Sequence, residues 1–183
     1  IGIARAGNVI GGGDWSEDRL IPDCVKSWSK NKKAVIRNPQ STRPWQHVLE
    51  AVGGYLLFAV SIKKNKKLHG EAFNFGPNSS KNYQVIHLVK LMKKYWKKIS
   101  WKVVNKNKKE FYESNLLKLN CNKAKTYLGW KSILSFKETI YMVTSWYKNY
   151  YSQPKKIYET SFNHIKEYEK LLKKRLTKRS KIS

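Results

Sequence analysis

The stretch Arg5-Ala-Gly-Asn-Val-Ile-Gly-Gly-Gly-Asp-Trp-Ser-Glu-Asp-Arg-Leu-Ile-Pro22 decides how this chain folds. Its first residues continue a strand-like start at residue 1 and enter a loop at three consecutive glycines, residues 11–13. Apolar residues then recur at helical spacing and predict a helix over residues 20–30: Ile21, Val25 and Trp28. A strand, a glycine-rich loop and a helix in this order indicate the α/β class.

The rest of the chain continues the alternation of strands and helices. Short strands are predicted at residues 34–37, 72–75, 100–104 and 116–119, and helices at 48–62, 85–96, 124–128, from 136 and from 159. Gly129 suits the left-handed end of a helix, and Ser135 with Glu138 forms a capping box. Helix 48–62 is apolar on most sides, so it is expected to be largely buried: Val52, Tyr55, Leu56 and Ala59.

Length and composition fit one globular domain, or one part of a larger domain. The chain has 183 residues, of which 40% are hydrophobic and 13% aromatic. The longest apolar stretch is too short to cross a bilayer, and no secretory signal pattern is present. Cys24 and Cys121 are the two cysteines and indicate neither a disulfide framework nor a zinc site, so a reducing cytoplasm is expected.

The net charge of +26 raises the question of nucleic acid. Only six of the 38 basic residues are arginines, whereas lysines are spread over the positions expected to face solvent. A protein that reads nucleic-acid grooves would be richer in arginine, whose planar fork pairs bidentately with bases and phosphates. We therefore expect no specific nucleic-acid partner, and a basic nucleic-acid-binding module stays open as an alternative.

Several motifs resemble the extended short-chain dehydrogenases/reductases of the NAD-dependent epimerase/dehydratase family. Within that family, the stretch at residues 7–15 together with Arg43-Pro-Trp-Gln-His-Val48 is most similar to the CDP-glucose 4,6-dehydratase branch. The similarity continues in the same order through four further motifs and covers residues 1 to about 150: Glu71-Ala-Phe-Asn-Phe-Gly-Pro77, Leu117-Lys-Leu-Asn-Cys-Asn-Lys-Ala124, Leu128-Gly-Trp130 and Trp146-Tyr-Lys148. Glu113 departs from the family pattern, since Tyr-Glu-Ser stands where relatives tend to have His-Glu-Ala.

The resemblance implies substrate contacts at Asn8 and Arg43, followed by Asn74 and Arg37. A guanidinium suits diphosphate oxygens, and a carboxamide offers both a donor and an acceptor to sugar hydroxyls. Structural interpretations stay open beside these. Asn8 would tolerate a turn before the glycines, Arg43 would pair with a carboxylate such as Glu50, and Asn74 would stabilise the end of a strand.

The resemblance also implies an NAD cofactor and a Tyr-x-x-x-Lys catalytic pair in the complete enzyme. Dinucleotide binding needs a Gly-x-x-Gly-x-x-Gly loop, and no glycines here have that spacing. The pairs Tyr127/Lys131 and Tyr151/Lys155 are rejected, because Gly129 and Pro154 interrupt their helices. We therefore expect no catalytic residue in this chain and no tight NAD binding.

Taken together, the sequence predicts the C-terminal part of an extended Rossmann-type enzyme, with one or two strands of its sheet and a small mixed α/β substrate-binding domain. Residues 1–150 are assigned to that part and 151–183 to a basic helical tail. The expected partners are a nucleotide sugar, a separate N-terminal cofactor-binding half and, in the complete enzyme, a second subunit. The resemblance implies a lyase of deoxysugar and O-antigen biosynthesis, or another nucleotide-sugar epimerase or decarboxylase.

Overall fold

The computed structural model describes residues 1–77, 83–104 and 119–179, with side chains up to residue 175. Eight short strands and six α-helices are present in these ranges. The strands are β1 (Ile3–Ala6), β2 (Asn8–Ile10), β3 (Ala34–Ile36), β4 (Thr42–Arg43), β5 (Trp45–His47), β6 (Ala72–Phe75), β7 (Tyr83–Gln84) and β8 (Trp101–Val103). The helices are α1 (Leu20–Ser29), α2 (Val48–Lys64), α3 (Val85–Tyr95), α4 (Asn122–Leu128), α5 (Phe136–Ser152) and α6 (Ile157–Arg179).

The strands associate in pairs, and three of the four pairs are parallel. β1 pairs with β6, β2 with β5 and β3 with β8, whereas β4 and β7 are antiparallel. Parallel strands need a crossover between them, which helices supply here. The α/β class predicted from the sequence is confirmed. The predicted strand at 116–119 lies almost wholly outside the described residues, as does Glu113.

The core is divided into three clusters. The first centres on Trp28, which is fully buried among side chains of α1, α3 and α5, and whose Nε1 donates a hydrogen bond of 2.7 Å to the Ser100 carbonyl. The second joins α2 to β6 and α4 through the contact of Phe58 with Phe73. The third contains Tyr168 of α6, packed near Leu134 and Met142.

The end of α4 and the start of α5 lie where the sequence predicts them. Gly129 ends α4 with a φ of +63°, a conformation that glycine adopts without a Cβ clash. Ser135 and Glu138 form both hydrogen bonds of the predicted capping box at the start of α5. The predicted boundary at residue 150 falls inside α5, and α6 packs on that helix through Trp146, whose Nε1 donates to Ser161 Oγ at 2.8 Å. The division into two units stays a prediction.

The expectation that α2 is largely buried is wrong. One face of the helix, including Ala51, Gly54 and Phe58, packs inward, but the opposite face is open, and Leu56 is 64% exposed. The exposed apolar side chains of this face are Val52, Tyr55, Leu56, Leu57 and Val60. A contiguous apolar face of this kind marks an interaction surface when it occurs on a folded protein.

No helix among the described residues is long and apolar enough to span a membrane.

Candidate functional site

A cleft of about 730 Å³ lies where β2, the start of α1 and the ends of β3 and β4 meet. This volume is within the range that small-molecule sites usually have. Its polar lining combines carboxamides, guanidiniums, carboxylates and a hydroxyl: Asn8, Asn38, Arg19, Arg37, Arg43, Asp14, Asp18, Asp23 and Ser41. Three of the four residues predicted to contact substrate are therefore brought together here, although they are up to 35 positions apart in the chain.

Asn8 is the first residue of β2 and lies opposite Trp45 of β5 in the parallel register. Its backbone is part of a strand, and positive φ angles occur elsewhere, at Gly13 among others. Asn8 therefore has the backbone conformation of a strand, and the alternative of a turn before the glycines is wrong. The half-buried carboxamide lines the cleft.

Arg43 is held on β4, which is paired with β7 so that Arg43 lies opposite Tyr83. Its Nη1 donates a hydrogen bond of 2.8 Å to the Thr42 carbonyl. Glu50, considered above as its partner, accepts hydrogen bonds from four other donors. The half-buried Arg43 lines the cleft and also a smaller cavity beside it.

Two further arginines complete the basic part of the cleft. Arg37 directly follows β3, and Arg19 occupies the N-cap position of α1 without a side-chain capping hydrogen bond; both are exposed. Arg19 was not among the residues predicted to contact substrate. The signal for it is its position directly before Leu20-Ile-Pro22, at the N-terminus of the helix that borders the cleft.

Asn74 is not brought to this cleft. It lies on β6, and its Nδ2 donates a hydrogen bond of 3.0 Å to the Asn120 carbonyl. Leu119, next to Asn120, lines the cleft. The observed contact of Asn74 therefore fixes a segment of the cleft wall, whereas its substrate contact stays a prediction.

The carboxylates give the cleft a mixed electrostatic character. Burial raises the pKa of Asp23, and Asp18 acts in the same direction, while nearby Lys26 and Arg37 oppose the shift. Three guanidiniums and three carboxylates within one cleft offer donors to an anionic group and acceptors to hydroxyl or amino groups. A ligand that carries both kinds of group matches this lining.

The glycines of the opening loop are packed by the protein's own side chains. A Cβ added to Gly12 would lie 2.1 Å from Cδ2 of Trp146, and one added to Gly11 would lie 2.7 Å from Cγ1 of Val48. Gly13 has a φ of +81°, which serves the chain reversal. This loop therefore does not fit the pyrophosphate of a dinucleotide, which would have to occupy the space that Trp146 and Val48 fill.

His47 has a structural role. Its Nδ1 accepts a hydrogen bond of 3.2 Å from the Leu49 N–H and caps the start of α2. Burial lowers its pKa to about 4, so the ring is neutral at pH 7. No group of His, Cys, Asp and Glu side chains in the described ranges could hold a metal ion.

Comparison with known proteins shows similarity both in sequence and in structure. The chain is 42% identical over 151 residues to CDP-glucose 4,6-dehydratase from Salmonella typhimurium strain LT2, a match that covers 81% of this chain and 42% of that protein. The chain thus spans less than half the length of this relative. No protein-family profile matches the sequence.

Solved structures that resemble it include nucleotide-sugar enzymes and epimerases. The epimerase Mth375 from Methanothermobacter thermautotrophicus superposes with a TM-score of 0.67 at 21% identity over 84% of this chain and 44% of its own. The dTDP-glucose 4,6-dehydratase from Bacillus anthracis, solved in complex with NAD, gives 0.59 at 18% identity over 81% and 44%. The chain is therefore a relative of CDP-glucose 4,6-dehydratase and has the fold of the NAD-dependent epimerase/dehydratase family.

Proposed function

We propose that this chain is the sugar-nucleotide-binding part of a CDP-glucose 4,6-dehydratase-type lyase. The complete enzyme would convert CDP-glucose into CDP-4-keto-6-deoxyglucose and water, with the hydride carried internally by NAD. The observation that carries the proposal is the shared cleft of Asn8, Arg37 and Arg43 in a chain that is 42% identical to such an enzyme.

The lining assigns a chemical role to each group. Arg43 and Arg37, with Arg19, would neutralise the two phosphates, because guanidinium forks form charge-assisted bonds with phosphate oxygens. Asn8 would donate to and accept from sugar hydroxyls. The aspartates would accept from the ribose hydroxyls and from the amino group of cytosine, which uracil and thymine lack. For Asn74 the role in substrate binding stays a prediction.

The proton-transfer and redox groups would come from outside these residues. The glycine loop is filled by Trp146 and Val48, and Tyr127 is exposed on α4. We therefore propose that NAD is held by a separate cofactor-binding part. A homodimer of the complete enzyme stays a prediction that the family resemblance implies. The free, unpaired thiols of Cys24 and Cys121 agree with a reducing cytoplasm as the compartment.

The open face of α2 is the surface proposed to receive that cofactor-binding part. Within the described residues β1 pairs with β6 alone, so its other edge has unpaired backbone groups. Ile3 of β1 is exposed, and so are the apolar side chains of α2 defined above. A partner that adds a parallel strand to β1 and covers this face would bury both features together.

A charge on this face is expected to block that association. The chain with Leu56→Glu should bind the remaining part of the Salmonella typhimurium relative at least about tenfold more weakly than the unchanged chain, since a buried carboxylate without a partner is costly. Tyr158→Glu, on exposed α6, is the matched control and should bind normally. Pull-down with titration measures both, and equal binding of Leu56→Glu would contradict the proposed surface.

Ligand selectivity tests the assignment of the substrate. By isothermal titration calorimetry the purified 183-residue chain should bind CDP-glucose more tightly than UDP-glucose or dTDP-glucose. It should not convert CDP-glucose into CDP-4-keto-6-deoxyglucose, because no catalytic pair is expected in this chain. Preference for a UDP- or dTDP-sugar would favour an epimerase or decarboxylase. Salt-sensitive binding of DNA that Arg43→Ala leaves unchanged would favour the nucleic-acid alternative.

A further inference from the structure

The opening loop, residues 11–19, joins β2 to α1 and forms part of the wall of the cleft. Asp14, Asp18 and Arg19 of this loop line the cleft, whereas the ring of Trp15 contacts aromatic side chains of α5. Neighbouring residues of the loop therefore serve two surfaces, one at the cleft and one against the core. The position of this part of the cleft wall depends on the contacts that hold the second surface.

The hydroxyl of Tyr147 in α5 donates a hydrogen bond of 2.8 Å to the backbone carbonyl of Asp14. The two residues are 133 positions apart in the chain, and Tyr147 is fully buried. Burial raises the pKa of the Tyr147 hydroxyl, so this group stays protonated and remains a donor at neutral pH. A loop that moved away from α5 would leave a buried donor without a partner, which is costly. The hydrogen bond therefore favours the loop position that forms the cleft wall.

Aromatic contacts hold the loop in the same position. The ring of Trp15 lies edge-on to that of Tyr147, with centroids 5.5 Å apart, and its centroid is 4.9 Å from that of Tyr150. Trp146 lies 5.3 Å from Tyr147 and packs against the loop at Gly12, where an added Cβ would lie 2.1 Å from the indole. Aromatic pairs in such geometries stabilise a structure beyond the area that they bury. The loop therefore rests on an aromatic surface of α5.

Two further hydrogen bonds of the loop are closer to solvent. Lys26 Nζ donates to the Trp15 carbonyl at 2.9 Å, and the Ser16 N–H donates to Asp14 Oδ1 at 3.0 Å. Lys26 is half-buried and Ser16 is exposed, so water can replace either bond when it breaks. The buried hydroxyl of Tyr147 has no such replacement. Loss of the Tyr147 bond is therefore expected to release the loop more than loss of either of the others.

We propose that Tyr147 is a positioning residue for ligand binding, which holds the opening loop through the Asp14 carbonyl so that Arg19 and the loop aspartates contact the ligand. Tyr147 itself does not line the cleft, so its effect on the ligand passes through the loop. This role rests on the function proposed above, because CDP-glucose is the ligand whose binding it affects. It also gives a purpose to the motif Trp146-Tyr-Lys148, which the predicted substrate contacts do not include.

The position of the loop can be measured without a ligand. The ring protons of Trp15 have NMR shifts that depend on the rings around them, and their signals are assigned as those lost in Trp15→Phe. Tyr147→Phe keeps the ring and removes the hydroxyl, and it should move the Trp15 signals toward those of an exposed indole. Tyr168→Phe, which removes another buried donor, is the matched control and should leave them in place. Trp15 signals that Tyr147→Phe does not move would overturn the proposal.

Isothermal titration calorimetry of the 183-residue chain with CDP-glucose measures the consequence for the cleft. Tyr147→Phe should weaken binding about fivefold, the equivalent of one neutral hydrogen bond, because the loop occupies its binding position less often. Tyr168→Phe should bind like the unchanged chain, and circular dichroism checks the fold of each variant. Unchanged affinity of Tyr147→Phe would overturn the proposal. A chain that binds no CDP-glucose would contradict the function proposed above, and the Trp15 signals would still decide whether Tyr147 holds the loop.

A double-mutant cycle separates positioning of the loop from a general loss of stability. Arg19 belongs to the loop, whereas Arg37 lines the cleft from the end of β3. Tyr147→Phe should weaken CDP-glucose binding about fivefold in the Arg37→Ala chain. In the Arg19→Ala chain the loss should be less than about twofold, because the loop has already lost its cationic contact with the ligand. Equal losses in both chains would show that Tyr147 acts on the whole fold, and they would overturn the proposal.

Discussion

Glu50→Ala is expected to lower the free energy of unfolding by about 4 kcal/mol, a large part of the roughly 5–15 kcal/mol that holds a domain of this size folded. The Glu50 side chain is 1% exposed and accepts hydrogen bonds from the Ile133 N–H at 2.6 Å and the Leu134 N–H at 2.5 Å. Tyr168 of α6 donates to its other oxygen at 3.2 Å. Alanine would leave two buried backbone donors without a partner and would remove the hydrogen bond that joins α6 to α2.

Urea unfolding monitored by circular dichroism measures this loss. Glu50→Gln keeps an oxygen for the two backbone donors and should lose less stability than Glu50→Ala. Glu71→Ala, which removes an exposed ion pair with Lys123, is the surface control and should change the free energy of unfolding by less than about 1 kcal/mol. A Glu50→Ala protein as stable as the Glu71→Ala protein would contradict the structural role of Glu50.

The difference in the free energy of unfolding between the unchanged protein and Glu50→Gln should depend on pH. Burial raises the pKa of Glu50 in the folded chain, although its four hydrogen bonds act in the opposite direction. The unfolded chain therefore ionises first as pH rises, so the unchanged protein loses stability from the unfolded pKa, about 4.5, up through the folded pKa. Glutamine does not ionise, and the stability deficit of Glu50→Gln should shrink across that window. A deficit that grows with pH would contradict the direction of the shift.

Arg43→Ala is expected to weaken CDP binding by about 100-fold, the effect of losing two hydrogen bonds to a charged group in a half-buried position. Arg43 is the arginine of the cleft that is not exposed, so its interaction with phosphate is screened less than that of Arg19 or Arg37. Arg43→Lys should recover only part of the affinity, because an ammonium group does not form the bidentate fork. Isothermal titration calorimetry with CDP measures all three proteins.

Arg5→Ala is the matched control for the loss of one positive charge. Arg5 is exposed on β1 and does not line the cleft. Because the chain has a net charge of +26, a general attraction for anions would be reduced equally by either substitution. Equal weakening by Arg5→Ala and Arg43→Ala would therefore show that CDP binds by net charge, and the cleft assignment would fail.

The structural features that the sequence predicts correctly are those that depend on short stretches of chain. The end of α4 at Gly129 and the capping box of α5 follow from backbone conformation and hydrogen bonds within four residues, so they can be recognised without knowing the fold. Three of the four residues predicted to contact substrate line one cleft, namely Asn8, Arg37 and Arg43, and their contact with substrate stays a prediction.

Tertiary structure decided the features that join distant residues. The open face of α2 contradicts the expectation of burial, since an apolar residue is buried only if another part of the protein covers it. Glu50 and its donors are more than 80 positions apart, so no local pattern could reveal that a carboxylate holds the segment before α5. The place of Asn74 outside the cleft was decided in the same way. The sequence by itself determined the elements and the family resemblance, because these depend on neighbouring residues. Burial and convergence required the packed chain, because they depend on which surfaces meet.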